Sequence, residues 1–269
     1  MLIGIIVIAI VVVVVTAFYF FLTKGKPSQG GEWIKHYNYA HRGLHDAQAP
    51  ENSMKAFQNA MDHGYAIELD VHLSKDGEMV VFHDFDLERM TGVKGNVEDY
   101  TLGELQKMKL AGTEATMPTL EEVLSLVKGS VPLLIETKSI GVAGKLEETL
   151  HERLKGYEGK YAVQSFSPFS VGWFKKHEPL TPRGQLSCFF TAGADIIPKW
   201  KRFLLKHLWT NFLCRPNFIS YGLEGDNLPI LQRFRKKGMP VLIWTVRDNA
   251  EKKQAKEFAD TIIFENFFA

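Results

Sequence analysis

The hydrophobic pattern of this chain changes character once, at residue 24. Leu2 to Leu22 is an unbroken apolar run with no charge, and as a helix it is long enough to cross about 30 Å of hydrocarbon. A removable signal peptide is the competing reading. No basic stretch precedes the run, its apolar part is too long, and Thr23-Lys-Gly-Lys26 offers no small-x-small cleavage site, so an uncleaved anchor fits better. Lys24 to Gly31 has the polar, Gly- and Pro-rich make-up of a tether, which as flexible coil reaches about 15 Å. The pattern divides the chain into a transmembrane anchor over 1–23, a linker over 24–35 and one folded domain over 36–269.

Within 36–269, short apolar runs compatible with strands recur near 37–41, 66–71, 79–83, 132–136, 161–165, 184–188, 217–221, 240–245 and 261–264. Helical periodicity fills much of the space between them, at 53–62, 102–108, 119–128, 143–154, 228–236 and 249–257. Strands alternating with helices predict a parallel sheet, and the length suits one α/β domain of the (β/α)8 TIM barrel type. Nine candidate strands compete for eight places. The link from Ser74 to Glu78 contains Lys75-Asp-Gly77 and is too short for a helical crossover, so a hairpin-like irregularity is expected there.

Candidate chemistry is densest between Ile67 and Asp84. An extended chain alternates its faces, so Glu68, Asp70 and His72 point one way while Ile67, Leu69 and Val71 point the other. Two carboxylates this close inside a fold are unfavourable unless a cation or protons neutralise them. A divalent metal, and with it a phosphate ester substrate, is the first expectation; a solvated edge strand is the plain alternative. Composition narrows the field. Formal charge is +1, all of it beyond residue 23, so no whole-protein field steers anions. Neither a Walker-type loop nor Gly-x-Gly-x-x-Gly occurs, and no nucleic-acid partner is expected. Cys188 and Cys214 have neither metal nor redox spacing and read as buried thiols.

Tyr39-Ala-His-Arg-Gly43, Pro50-Glu-Asn-Ser53, Glu68-Leu-Asp-Val71, His83-Asp84 and Glu136-Thr-Lys138 follow one another in that order. Together they resemble the motif series of the glycerophosphodiester phosphodiesterase family from about residue 38 to 138. Gln164-Ser-Phe166 and Trp244-Thr-Val246 are similar to its later motifs. Ser53 stands where the family usually has Thr, and the chain closes on Ile262-Ile-Phe-Glu-Asn266 instead of a Thr-Asp-like end.

The resemblance implies a (β/α)8 barrel and metal-dependent hydrolysis of glycerophosphodiesters to an alcohol and glycerol 3-phosphate. It makes His41 and His83 the acid–base pair, His41 taking the proton of the attacking group and His83 protonating the leaving alcohol. Imidazole suits that task because it exchanges protons near neutrality. Glu68, Asp70 and Glu136 form an all-oxygen ligand set suited to Ca²⁺ or Mg²⁺, which Glu51 joins directly or through water. Arg42 and Lys138 would hold phosphoryl oxygens, Arg through its fork and Lys as a point charge; a Glu136–Lys138 salt bridge is the structural alternative. Asp84 orients His83 or caps a turn. Gln164, Phe166 and Trp244 read as pocket wall or as barrel-end packing, and the other histidines, His45 included, as ordinary structural residues. A phospholipase C- or D-like enzyme on the same barrel and a catalytically silent tethered binding protein are the other function classes, and the intact set of two histidines and three carboxylates argues against the last.

From Ile196 to Leu223 there is no Asp or Glu, while Lys199, Lys201, Arg202, Lys206 and Arg215 are interleaved with Trp200, Phe203, Trp209 and Phe212. Read as a helix started by Pro198, the stretch places Lys199, Arg202 and Lys206 on one face and Trp200, Leu204 and Leu208 on another. It is either a barrel-wall helix packing inward or a basic amphipathic segment, 196–215, lying in an anionic membrane interface. The interfacial reading favours lysophospholipid over soluble glycerophosphodiester substrates. Lys24, Lys26 and Lys35 all follow the span, so the positive-inside tendency places the domain of this single-pass membrane protein in the cytoplasm. Protease added to intact cells is then expected to leave the domain whole, and digestion without lysis would reverse the orientation.

Overall fold

The computed structural model describes residues 2–27, 30–191, 197–225 and 228–269. Among the described residues, nine strands lie in one sheet: β1 (Tyr39–Ala40), β2 (Ala66–Leu73), β3 (Met79–Val81), β4 (Leu133–Thr137), β5 (Tyr161–Ser165), β6 (Arg183–Ser187), β7 (Phe218–Gly222), β8 (Val241–Val246) and β9 (Thr261–Phe264). Eight of them are parallel and run in the order β1, β9, β8, β7, β6, β5, β4, β2, and a further pairing of β1 with β2 closes the barrel. The ninth, β3, runs antiparallel to the last residues of β2, with Val71 opposite Val81. Its connection is the short link at Ser74–Glu78, closed by a hydrogen bond from Gly77 N to the Ser74 carbonyl. The hairpin irregularity resolves the surplus strand.

Closure sorts side chains by parity. Tyr39, Ala66, Leu134, Ala162, Phe218, Leu242 and Ile263 point inward and form the apolar floor. Ile67, Leu69, Val71, Ile135 and Val163 point outward and pack under the helices. Farther along the same inward rows the residues turn polar: Glu68, Asp70, Glu136, Gln164 and Ser220 are all buried. A satellite core of Val80, Phe82, Leu87, Met90, Leu105 and Met117 fills the insertion between β2 and β4.

The stretch predicted as a free tether is docked. Lys26 N donates to the Pro216 carbonyl and Asn217 Nδ2 to the Lys26 carbonyl. Glu32–His36 forms a 3-10 turn whose Ile34 joins the barrel floor, where its carbonyl accepts from Tyr39 Oη at 2.9 Å. Residues 28 and 29 of the predicted linker lie outside the described residues. The predicted anchor is one helix, Leu2–Thr23, and Ile3–Thr23 is long and apolar enough to cross a membrane.

The predicted helices are present, although the one at 102–108 shrinks to Leu102–Leu105. Pro168–His177 was not predicted, because Gly172 and Lys175-Lys176-His177 blur its apolar period. Ser167 as cap and Pro168 in the first turn were the available signal. The segment 196–215 is two helices, Lys199–Lys206 and Asn211–Cys214, separated where Leu208 takes a left-handed φ of 57°; residue 196 lies outside the described residues. Both cysteines are free, Cys214 buried and Cys188 only partly so.

Gly184 shows how tightly the floor is filled, since a Cβ there would lie 2.1 Å from the Phe218 ring. Gly184→Ala is therefore expected to cost about 1–3 kcal/mol through overpacking. Gly103→Ala, where a Cβ meets nothing within 4 Å, should stay within about 0.5 kcal/mol of the parent. Thermal denaturation checks both, and equal midpoints for the two variants would contradict this packing.

Candidate active site

Polar residues converge at the C-terminal ends of the barrel strands, the end where such folds assemble sites. His41 and Arg42 follow β1, Glu68 and Asp70 lie in β2, Glu136 in β4 with Lys138 just beyond, Gln164 in β5, Trp244 in β8, and Glu265 just after β9. The turn leaving β1 explains its glycine. Arg42 and Gly43 both take left-handed φ values, 56° and 80°, and a Cβ on Gly43 would come within 2.8 Å of the Ala56 backbone. The turn thus lies flush on the helix Met54–Asp62. Ser53 caps that helix, its Oγ accepting from Ala56 N at 3.2 Å. Asn52, also left-handed at φ 56°, donates Nδ2 to Asp70 Oδ2 at 2.9 Å.

Glu68, Asp70 and Glu136 form an acidic cluster with one oxygen from each lying within 4.8 Å of the others. Lys138 Nζ bridges Asp70 Oδ1 at 2.8 Å and Glu136 Oε1 at 2.7 Å. Glu68 is held from two sides, by Arg42 N at 3.1 Å and Gln164 Nε2 at 3.3 Å, and Ser220 Oγ fixes Gln164 at 2.7 Å. Burial pushes the Glu68 carboxyl well above the usual range, and the neighbouring Asp70 and Glu136 charges push the same way. Burial also raises Glu136, against the pull of Lys138. Burial alone would raise Asp70 too, but Lys138, His83 and Arg42 together hold it far below the ordinary carboxylate range. Two cations against three carboxylates leave the cluster short of positive charge, which is the electrostatic signature of a cation site.

Each candidate histidine is backed by a carboxylate. His41 Nδ1 pairs with Glu265 Oε2 at 2.6 Å, and Arg247 Nε holds the other oxygen of Glu265 at 2.9 Å. His83 Nδ1 pairs with Asp84 Oδ1 at 2.7 Å, and Arg89 Nε holds Asp84 Oδ2 at 2.6 Å. A carboxylate at Nδ1 orients the ring so that Nε2 faces outward, as an acceptor when the ring is neutral and as a donor when it carries a second proton. Burial lowers the His41 pKa to about 4 in spite of the Glu265 hydrogen bond, so the ring is neutral throughout the physiological range.

Every predicted site residue reaches this end of the barrel, but not in the expected roles alone. Glu51 stands apart from the acidic cluster: its Oε1 accepts from Arg42 at 2.8 Å and Arg89 at 2.6 Å, and its Oε2 from Arg89 at 3.1 Å. Gln164 is buried and supports Glu68 in place of forming open wall. Phe166 and Trp244 stand in edge contact at 5.6 Å, with Phe190 beyond Phe166 at 6.1 Å. Asp84 orients His83, and the Glu136–Lys138 pair exists inside the cluster. His72 packs against Phe85 and, with Lys138, Ile140 and Val142, lines an adjoining cleft of about 590 Å³. Asn52, Arg89 and Glu265 were missed. Glu265 lies in the closing segment already noted as unusual, and a carboxylate directly after the last barrel strand was the signal.

Comparison with known proteins agrees with this geometry. Residues 41–268 match the sequence model described as the glycerophosphoryl diester phosphodiesterase family. The chain is 33% identical over 238 residues to a glycerophosphodiester phosphodiesterase of Caldanaerobacter subterraneus, covering 83% of this chain and 91% of that protein. It is 27% identical over 251 residues to a lysophospholipase D of Rattus norvegicus, covering 81% and 79%. Among solved structures, a phosphodiesterase of Oleispira antarctica in complex with the product sn-glycerol-3-phosphate superposes with a TM-score of 0.70 at 25% identity, over 85% of this chain and 92% of that one.

The His41 ring is expected to titrate at about 4 instead of 6.5. Because its folded pKa is depressed, its contribution to stability is complete above pH 6.5 and is lost as pH falls toward 4. Glu265→Gln removes the interaction that raises this pKa and should move the midpoint lower still. Titration of the ring resonances by NMR checks both, and a midpoint near 6.5 in the parent would contradict the buried pair.

Proposed function

Because this chain belongs to the glycerophosphoryl diester phosphodiesterase family, it is a phosphoric diester hydrolase, and we propose that it cleaves glycerophosphodiesters to an alcohol and glycerol 3-phosphate with the residues gathered at its barrel mouth. The observation that carries this reading is the buried carboxylate cluster flanked by two histidine–carboxylate pairs. Glu68, Asp70 and Glu136 fit a hard divalent cation, Ca²⁺ or Mg²⁺, since all their donors are oxygen and their charge exceeds that of Arg42 and Lys138. Such a cation, when bound, supplies positive charge to the phosphoryl oxygens.

The chain's own residues supply the rest. Arg42 Nε and Trp244 Nε1 are buried without a hydrogen-bond partner among the described residues, which leaves two donors for substrate oxygens. Lys138 adds a fixed charge beside them. His41, neutral and oriented by Glu265, accepts the proton of the attacking group, here the glycerol 2-hydroxyl. The oxygen it frees bonds to phosphorus as the bond to the leaving alcohol breaks, and His83 gives that alcohol its proton. Water then opens the cyclic phosphate with the two proton transfers reversed. The lysophospholipase D named above and the apolar N-terminal helix support lysophospholipids as substrates alongside soluble diesters. Docking of Thr23 through Arg233 and Asn211 supports the reading of that helix as a retained anchor, because a cleaved leader needs no such seat.

His41→Ala and His83→Ala are each expected to lower turnover of glycerophosphocholine by about 10²–10⁴-fold. Neither imidazole belongs to the proposed ligand set, so cation affinity should hold. Turnover within a few-fold of the parent for either variant sinks the assignment. Loss of cation binding together with turnover would instead place that histidine among the ligands.

A further inference from the structure

We propose that the barrel mouth faces the bilayer holding the helix Leu2–Thr23, with the short helix Lys199–Lys206 lying in the lipid head-group layer as a foot beside the active site. This rests on the reading of that N-terminal helix as a retained anchor. The substrate class it selects is a membrane-resident glycerophosphodiester with one acyl chain.

The course of the chain sets the direction. Thr23 is buried on the barrel wall, its carbonyl accepting from Asn211 at 3.4 Å and its hydroxyl from Arg233 at 2.6 Å. From there the chain runs toward the closed end of the barrel, where Lys26 meets Pro216 and Asn217 just before β7 and Ile34 seals the floor. Followed backwards from Thr23, the helix climbs the other way. The Tyr19 ring lies 6.5 Å from Trp209, and Trp209 lies 5.3 Å from Phe203. Phe203 belongs to Lys199–Lys206, which is fastened to the rim of the mouth. Ser187 Oγ and Tyr221 Oη, near the C-terminal ends of β6 and β7, donate to the carbonyls of Leu205 and Lys206 at 2.8 Å each. Residues 3–18 of the long helix are exposed, and its docked end abuts Trp209 through Tyr19.

The surface beside the rim has interfacial chemistry. No residue of Lys199–Lys206 is fully buried; Leu204 and Leu205 are half-buried while Leu208 just beyond is buried in the core. Trp200 is 61% and Phe203 49% exposed, next to Lys199 and Lys201 in a stretch without any carboxylate. Around the docked end of the long helix, Arg215 lies 4.8 Å over Phe21 and Arg233 4.9 Å over Phe20. Cations among aromatic rings suit anionic head groups.

The same β6–β7 connection leads into the site. Lys206 Nζ lies 3.7 Å from the Phe189 ring, and Phe190 continues the aromatic wall through Phe166 to Trp244. A single acyl chain leaving the leaflet would meet this wall before its phosphodiester reached the carboxylate cluster.

The test uses the full chain in vesicles of phosphatidylcholine and phosphatidylglycerol. Flotation reports anchoring. Quenching by lipids brominated on their acyl chains, taken as the difference between the parent and Trp200→Phe, reports where residue 200 sits. Co-flotation with lipid-borne quenching of Trp200 is the expected result. With it, Trp200→Ser/Phe203→Ser should lose about tenfold in turnover of vesicle-borne lysophosphatidylcholine while soluble glycerophosphocholine is cleaved as before. Co-flotation with Trp200 quenched only by aqueous iodide overturns the foot and leaves the anchor standing. Protein that stays out of the floated fraction overturns the anchor reading, and this inference with it.

Discussion

Three carboxylates buried within 4.8 Å of one another are the arrangement this barrel has to sustain. Like charges at that range, taken out of water, repel strongly. Elements far apart in sequence are spent on holding them in place: Asn52 and Lys138 on Asp70, Lys138 on Glu136, the Arg42 amide and Gln164 on Glu68. Those supports satisfy geometry and part of the charge. The remaining deficit of positive charge is what a divalent cation and a bound phosphodiester resolve together. The residues proposed to bind the cation and those proposed to hold the substrate therefore form one connected network, and a change to either is felt by the other.

The histidines lie at the edge of this network and are set by separate means. Glu265 reaches His41 across the barrel closure, from β9 to β1, whereas Asp84 reaches His83 from the next residue in the chain. Arg89 then ties Asp84 to Glu51, and Glu51 ties to Arg42. The insertion that carries His83 is thereby clamped onto the turn that carries Arg42. Closure of the barrel and folding of the insertion each complete one of the two histidine–carboxylate pairs proposed to transfer protons.

What was legible in the sequence follows from the range of each interaction. The alternation in β2 exposed the inward acids because a strand repeats every two residues and Ile67, Leu69 and Val71 mark the outward face. The eight-stranded barrel was readable apart from the ambiguity at β3, whose short link to β2 excluded a crossover. Glu265 was not readable as an orienter, since its partner lies 224 positions away and only closure brings them together. Gln164 looked like wall because strand parity places it inward without saying that Glu68 and Ser220 would occupy its amide. The tether looked flexible by composition, yet Lys26 and Ile34 find partners just before β7 and in the barrel floor that no local pattern encodes.

Calorimetric titration of Ca²⁺ or Mg²⁺ into the chelator-stripped protein, with turnover followed at each step, tests the central claim most directly. The account predicts a single saturable cation site, turnover that rises in step with its occupancy, and loss of both in Glu136→Gln. Full turnover after exhaustive chelation, with no cation bound, would contradict it.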